Sequence, residues 1–153
     1  PDPCNPGTFE KCKLKWDELD DIGHARILKL HVDLLALRKS LPFYQRVPGR
    51  GEIDGAVLDG HVFCMRFFGE SDDDLLLVVN LWNDVILHSI PEPLVAPPAG
   101  KRWETHWSSE NPDYGGLGVT PLENANEPWR LAGENWRIPG YSTTLLHPVE
   151  VSK

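Results

Sequence analysis

The sequence predicts a mainly β fold, an antiparallel β-sandwich preceded by one long N-terminal α-helix. Three observations carry this. Ile27, Leu30, Leu34, Leu37 and Leu41 recur at the spacing of one helix face, the strongest such stripe in the 153 residues. Near residue 50 the apolar period drops from about 3.6 residues to about 2. Beyond that point, short apolar runs alternate with turn signals every 8–12 residues or so, the rhythm of a sandwich or barrel.

Residues 1–22 are rich in Pro, Gly and Asp, show no sustained period, and read as a loop with one short turn. Asp20 and Asp21 are candidate N-caps, because a carboxylate accepts the unpaired N–H groups of a first helical turn. The helix runs over 22–40, with Leu28 and Leu35 widening its stripe. Pro42 ends it, since the residue before proline disfavours the α region. Gly49-Arg50-Gly51 marks the connection to the sheet. Segments 56–58 and 61–68 form a hairpin on Asp59-Gly60. Segment 75–82 is apolar on both faces and reads as a central strand, and Asn83-Asp84 turns it into a strand over 85–90. The prolines from Pro91 to Pro98 predict an extended run at a sheet edge. Segment 102–107 alternates aromatic and polar residues, 108–128 is a long irregular loop, and strands over 134–138 and 141–147 flank Pro139-Gly140.

Composition excludes some classes of function. The net charge of −8, with Lys and Arg scattered, argues against a nucleic-acid partner. No apolar run approaches the roughly 20 residues of a membrane helix; the longest is Leu75-Leu76-Leu77-Val78-Val79. Cys4, Cys12 and Cys64 are odd in number and lack a C-x2-C pairing. They read as free thiols of a cytoplasmic protein, with a Cys4–Cys12 disulfide as the alternative. The acidic run Glu70-Ser71-Asp72-Asp73-Asp74 reads as a solvated loop between strands. The chain begins Pro1-Asp2-Pro3 and its only methionine is Met65, which suggests a piece of a larger protein.

No catalytic residue, metal site or cofactor motif is expected. His24 and His31 share a helix face without the rest of a metalloprotease motif, and no phosphate loop or nucleophile elbow is present. Glycoside hydrolysis needs paired carboxylates, but no context marks Glu104, Glu110, Glu123, Glu127 or Glu134 as such a pair. Of the tryptophans in the β-region, core packing is the default reading. Trp129 and Trp136, beside the long loop, are the candidates for stacking on a sugar. The run from Trp107 to Gly118 joins a strand end to a glycine cluster, which permits close backbone approach.

Asp2-Pro3, Pro6-Gly7-Thr8-Phe9-Glu10 and Lys13-Leu14-Lys15-Trp16 resemble the segment after the last catalytic barrel strand of the malto-oligosyltrehalose trehalohydrolase family. This family lies within the α-amylase superfamily of glycoside hydrolases. His24-Ala25-Arg26, Leu35-Ala36-Leu37-Arg38, Trp107-Ser108-Ser109-Glu110, Tyr114-Gly115-Gly116 with Gly118, and the run from Trp136 to Ser142 extend the likeness. The resemblance implies that residues 1–50 are the end of a catalytic barrel, its loop and last helix, and 51–153 a C-terminal all-β domain. The family's catalytic carboxylates lie upstream, so none is carried onto this chain and the isolated chain is expected to be inactive. The implied function is a non-catalytic domain that stabilises the barrel of an enzyme acting on α-glucans or maltooligosyl trehalose. The alternative is a carbohydrate-binding module using exposed tryptophans. The expected partners are the upstream barrel and an α-glucan. Glu110, Tyr114, Gly115 and Gly116 are the expected interdomain contacts. Leu30, Leu34 and Leu37 should be largely buried, and a helix stripe left open would pair two copies of the chain.

Overall fold

The structure, a computed structural model, describes residues 2–41, 43, 49, 51–70, 73–122 and 136–151. Two helices, α1 (Pro6–Cys12) and α2 (Ile22–Ser40), precede the strands. The strands are β1 (Ile53–Asp59), β2 (Val62–Phe67), β3 (Leu75–Asn80), β4 (Val85–Leu87), β5 (Lys101–Ser108), β6 (Trp136–Ile138) and β7 (Ser142–Glu150). Five strands form one antiparallel sheet in the order β1-β2-β3-β7-β5, and β4 pairs with β6 in a second. The mainly β, antiparallel reading holds, with seven strands in two sheets behind a long helix among the described residues.

Helix α2 starts where its cap dictates. Asp21 Oδ1 accepts from Gly23 N at 2.8 Å and His24 N at 3.3 Å. Arg38 and Lys39 lie in its last turn, where the helix dipole favours cations. Helix α1 falls in the stretch read as loop. It is set by capping rather than by apolar period: Asn5 Oδ1 accepts from Gly7 N at 2.8 Å, and Pro6 occupies the first turn.

Alternation along the central strand splits the core into two layers. On one face, Leu76 and Val78 join Val62, Cys64, Trp103 and Leu146, and β6 adds Trp136 and Ile138 from the second sheet. On the other face, Phe67, Leu75 and Leu145 meet Leu37, Leu41 and Phe43. The second layer is thin. No residue of α2 is buried: Leu34 is 37% exposed, and Leu30 and Leu37 are half-buried. This corrects the expected burial of the stripe. Ile27, Leu28, Val32 and Leu35 are also exposed, so the apolar residues of α2 extend well beyond the strip that one sheet can cover.

Three further corrections have a local cause. The proline-rich run is a 3₁₀ turn at Pro93–Val95 rather than an extended edge, because its carbonyls are claimed from outside. Arg66 Nη1 donates to Leu94 O at 3.1 Å and Ala96 O at 2.6 Å, and Trp103 Nε1 donates to Val95 O at 2.7 Å. The acidic run does not end in solvent: Asp74 is buried, pairs with Arg66 (Nη2 to Oδ2, 2.6 Å), and accepts from Gly69 N at 2.7 Å. Strand β4 leaves β3 altogether for β6, and the buried Asn80 fixes that exit by donating from Nδ2 to Asn83 O at 2.8 Å and Pro139 O at 3.0 Å.

Candidate functional site

The candidate site is the seam where the loop after β5 meets α2. Strand β5 reaches it through a bulge. Thr105 pairs with Leu146 and Trp107 with the next residue, Leu145, so His106 is the extra residue. Without it, Trp103, Thr105 and Trp107 would share a face. With it, Trp103 stays in the first core layer and Trp107 joins the helix side.

Trp107 begins a chain of hydrogen bonds that ends on the helix. Its Nε1 donates to Tyr114 Oη at 3.3 Å, and that hydroxyl donates to Asp33 Oδ2 at 2.7 Å. The directions are fixed by chemistry, because an indole N–H only donates and a carboxylate only accepts. Lys29 Nζ reaches the same Asp33 oxygen at 2.8 Å and lies 3.8 Å from Asp113 Oδ2. The hydrogen bond from Lys29, then that from Tyr114, holds the Asp33 carboxyl below its usual range. The same bond raises the Lys29 ammonium. Desolvation, seconded by the bond to Asp33, raises the Tyr114 phenol. These three groups therefore keep their neutral-pH protonation states, which suits a structural clamp rather than proton transfer.

The glycines fit this geometry. Gly115, at φ 92°, ends a 3₁₀ turn at Pro112–Tyr114 and faces Arg26 of α2. A Cβ on Gly116 would overlap the Glu110 backbone. Glu110 closes its own loop: Oε2 accepts from Leu117 N at 3.3 Å, and its carbonyl accepts from Gly118 N at 2.9 Å. Of the four residues singled out from sequence, Tyr114 bonds to α2 and Gly115 lies against it, while Glu110 and Gly116 shape the loop behind them. Asp33 and Lys29 were not foreseen. The available signal was that Asp33 is the sole acid between Ile22 and Ser40, one helical turn after a lysine.

The sugar-stacking candidates fare differently. Trp136 is 2% exposed, a core residue between the sheets with no open ring face, which corrects its reading as a platform. Trp129 lies outside the described residues, as do Glu123, Glu127 and Glu134. Glu104 is engaged by Arg102 at 3.1 Å. The three cysteines are free thiols, and no three His, Cys, Asp or Glu side chains converge to hold a metal ion among the described residues. No helix among them is long and apolar enough to cross a membrane.

Between α2 and the sheet runs an apolar groove of about 780 Å³, whose walls include Leu30, Leu34, Leu37, Leu77 and Trp107. The seam is thus clamped at one end by polar bonds and open along its apolar length.

Comparison with known proteins finds relatives of one name. The malto-oligosyltrehalose trehalohydrolase of Mycobacterium tuberculosis (strain ATCC 25618 / H37Rv) is 50% identical over 38 residues, 25% of this chain and 7% of that protein. The enzyme of the same name from Rhizobium sp. (strain M-11) is 45% identical over 47 residues, 31% of this chain and 8% of its own length. That of Brevibacterium helvolum is 48% identical over 42 residues, 28% of this chain and 7% of its own length. The matched part of the chain therefore spans less than a tenth of these relatives. A family profile described as "Domain of unknown function (DUF3459)" matches residues 50–126. With half of its residues matched, taking in β1 to β5 and the loop that carries Tyr114, the chain belongs to the DUF3459 family.

Proposed function

We propose that this chain is the C-terminal part of a glycoside hydrolase acting on α-glucans or maltooligosyl trehalose, and that its role is to stabilise the catalytic barrel rather than to catalyse. In this reading residues 1–50 are the end of the barrel and 51–153 the accessory domain. One observation supports it above the others: large apolar side chains of the opening segment stand mostly in solvent. Phe9 is 66% exposed, Leu14 75% and Trp16 71%. Together with the outer face of α2 they make an uncovered surface of the kind that marks an absent partner. A helix apolar on more than one side belongs inside a larger body. The Trp107–Tyr114–Asp33 chain then fastens the barrel's last helix to the β-domain, and the exposed apolar side chains of α2 contact the rest of the barrel.

Free thiols accord with a reducing, cytoplasmic setting. With the barrel absent, the same exposed faces pair two copies of the chain.

The test uses the full-length parent enzyme. Trp16→Ala and Leu35→Ala should lower its Tm while kcat/KM per folded molecule on maltooligosyl trehalose stays the same. In the 153-residue chain, at a dilution where it is monomeric, both should leave Tm unmoved. An unchanged Tm in the parent sinks the reading.

A further inference from the structure

Tyr141 is the one non-glycine residue with positive φ (50°) among the described residues. A bulky side chain in the left-handed region is an outlier, and such outliers cluster where a site requires them. Its ring is not tucked away to compensate; Tyr141 is 66% exposed. Beside it stands Trp82, 52% exposed, with ring centroids 5.9 Å apart and planes inclined at 59°. The His61 ring also lies near Trp82, with centroids 5.8 Å apart.

The seat beneath these rings is rigid. Tyr141 N donates to Trp82 O at 2.8 Å, and Trp82 N donates to Asn80 Oδ1 at 3.0 Å. Asn80, 1% exposed, ties both turns together through Asn83 O and Pro139 O. Two aromatic rings are thus held open to solvent on a backbone fixed by a buried amide. Such a surface loses little freedom when a ligand arrives.

A recess of mixed lining, with Leu117 and Pro139 among its walls, lies next to it along the chain. Asp84 Oδ1 accepts from Gly140 N at 2.8 Å, and Arg137 Nη2 stands 3.8 Å from Asp84 Oδ2. With Glu110 and Thr120 they line a recess of about 260 Å³. An apolar protein partner would strand these charges out of water at a cost. A sugar would not, since its hydroxyls both donate and accept and its ring carries an apolar C–H face that lies flat on an aromatic.

We infer that the Trp82–Tyr141 surface is a carbohydrate-binding site for an α-1,4-linked glucan. The inclined rings suit a chain that curves, whereas a flat β-1,4 ribbon calls for coplanar rings. This site is separate from the helix seam and adds an activity to the stabilising role. The choice of an α-glucan draws also on the proposed parent enzyme.

The experiment titrates the 153-residue chain with maltoheptaose and with cellohexaose, reading tryptophan emission and calorimetric heat. Maltoheptaose should bind saturably at millimolar or lower concentration, and cellohexaose much more weakly. Tyr141→Gly is the decisive variant, because glycine accepts positive φ and the fold should keep or raise its Tm. It should weaken maltoheptaose binding about tenfold or more, and Trp82→Ala should do likewise. No binding of either sugar, or maltoheptaose binding that survives Tyr141→Gly, overturns the site. Equal binding of cellohexaose overturns the α-glucan assignment. Neither result moves the Tm test of the parent enzyme, so the two proposals fail separately.

Discussion

The two faces of the five-stranded sheet are built to different degrees of completion. On one, Val62, Cys64, Leu76, Val78, Ile138 and Leu146 are each at most 2% exposed, with a second sheet closing the layer. On the other, a single helix supplies the cover, and none of its own residues is buried. Both faces are apolar, so hydrophobicity does not separate them. What separates them is the cover, a second sheet with a buried polar border on one and a helix on the other. The finished face is bordered by the Arg66–Asp74 pair and by Asn80, each buried and fully bonded. The unfinished face is held by a part-buried relay through Asp33. A layer complete in this sense is a stable core by itself, whereas the other is half of an interface.

The largest expected effect breaks the border of the finished face. Asp74→Ala leaves the Arg66 guanidinium buried without its carboxylate and Gly69 N without an acceptor. It should cost about 3–5 kcal/mol in denaturant unfolding. Next comes a direct contrast between the faces. Leu76→Ala removes a fully buried side chain and should cost about 2–5 kcal/mol. Leu34→Ala, on the open helix, should cost under about 1 kcal/mol in this chain, rising toward the Leu76 value in a full-length parent. A large cost for Leu34 in the isolated chain would erase the contrast.

Smaller again is the seam. Tyr114→Phe keeps the ring and removes the donor to Asp33. It should speed hydrogen exchange of α2 amides near Asp33 about two- to tenfold, with the β3 and β7 amides unmoved. The smallest effect is a pH dependence. Desolvation, and then the His147 ring 5.0 Å away, hold the His106 imidazole below its ordinary value of 6.5. The unfolded chain therefore takes up this proton more readily than the folded one. The stabilisation is complete above about pH 6.5 and is lost as pH falls from there through the depressed folded value. His106→Gln should flatten the fall in Tm between about pH 7 and pH 5.

The long helix and its cap, the β1–β2 hairpin, the central place of β3 and the antiparallel class were legible because each is written in local periodicity or turn chemistry. The Arg66–Asp74 pair was not, since an aspartate at the end of an acidic run looks solvated until a distant arginine is placed beside it. The bulge at His106 also escaped, because the strict alternation of 102–107 gives no hint that one residue is skipped. At the site, the glycines and Tyr114 stood out as a cluster in sequence. The partners Asp33 and Lys29 lie on another element, some eighty positions earlier for Asp33. Trp136 and Tyr141 invert the usual expectation. The tryptophan is swallowed by the sandwich, and the residue two past a proline, unremarked beyond its place in the family likeness, carries an open ring.

The sheet order has a consequence for how the molecule comes into being. Strand β7, the last of the described strands in chain order, lies between β3 and β5 and makes both of their pairings. Until residues 142–150 emerge, the β1–β2–β3 meander ends in an unpaired edge and β5 lacks its one partner among the described strands. Synthesis at about 5–20 residues per second leaves that edge open for seconds. The hairpin can form early, but the sheet closes only once β7 has emerged, through contacts of high sequence separation that are slow to find. A stalled or truncated product would present Leu75–Asn80 as a bare apolar strand, the form most prone to join a neighbouring chain.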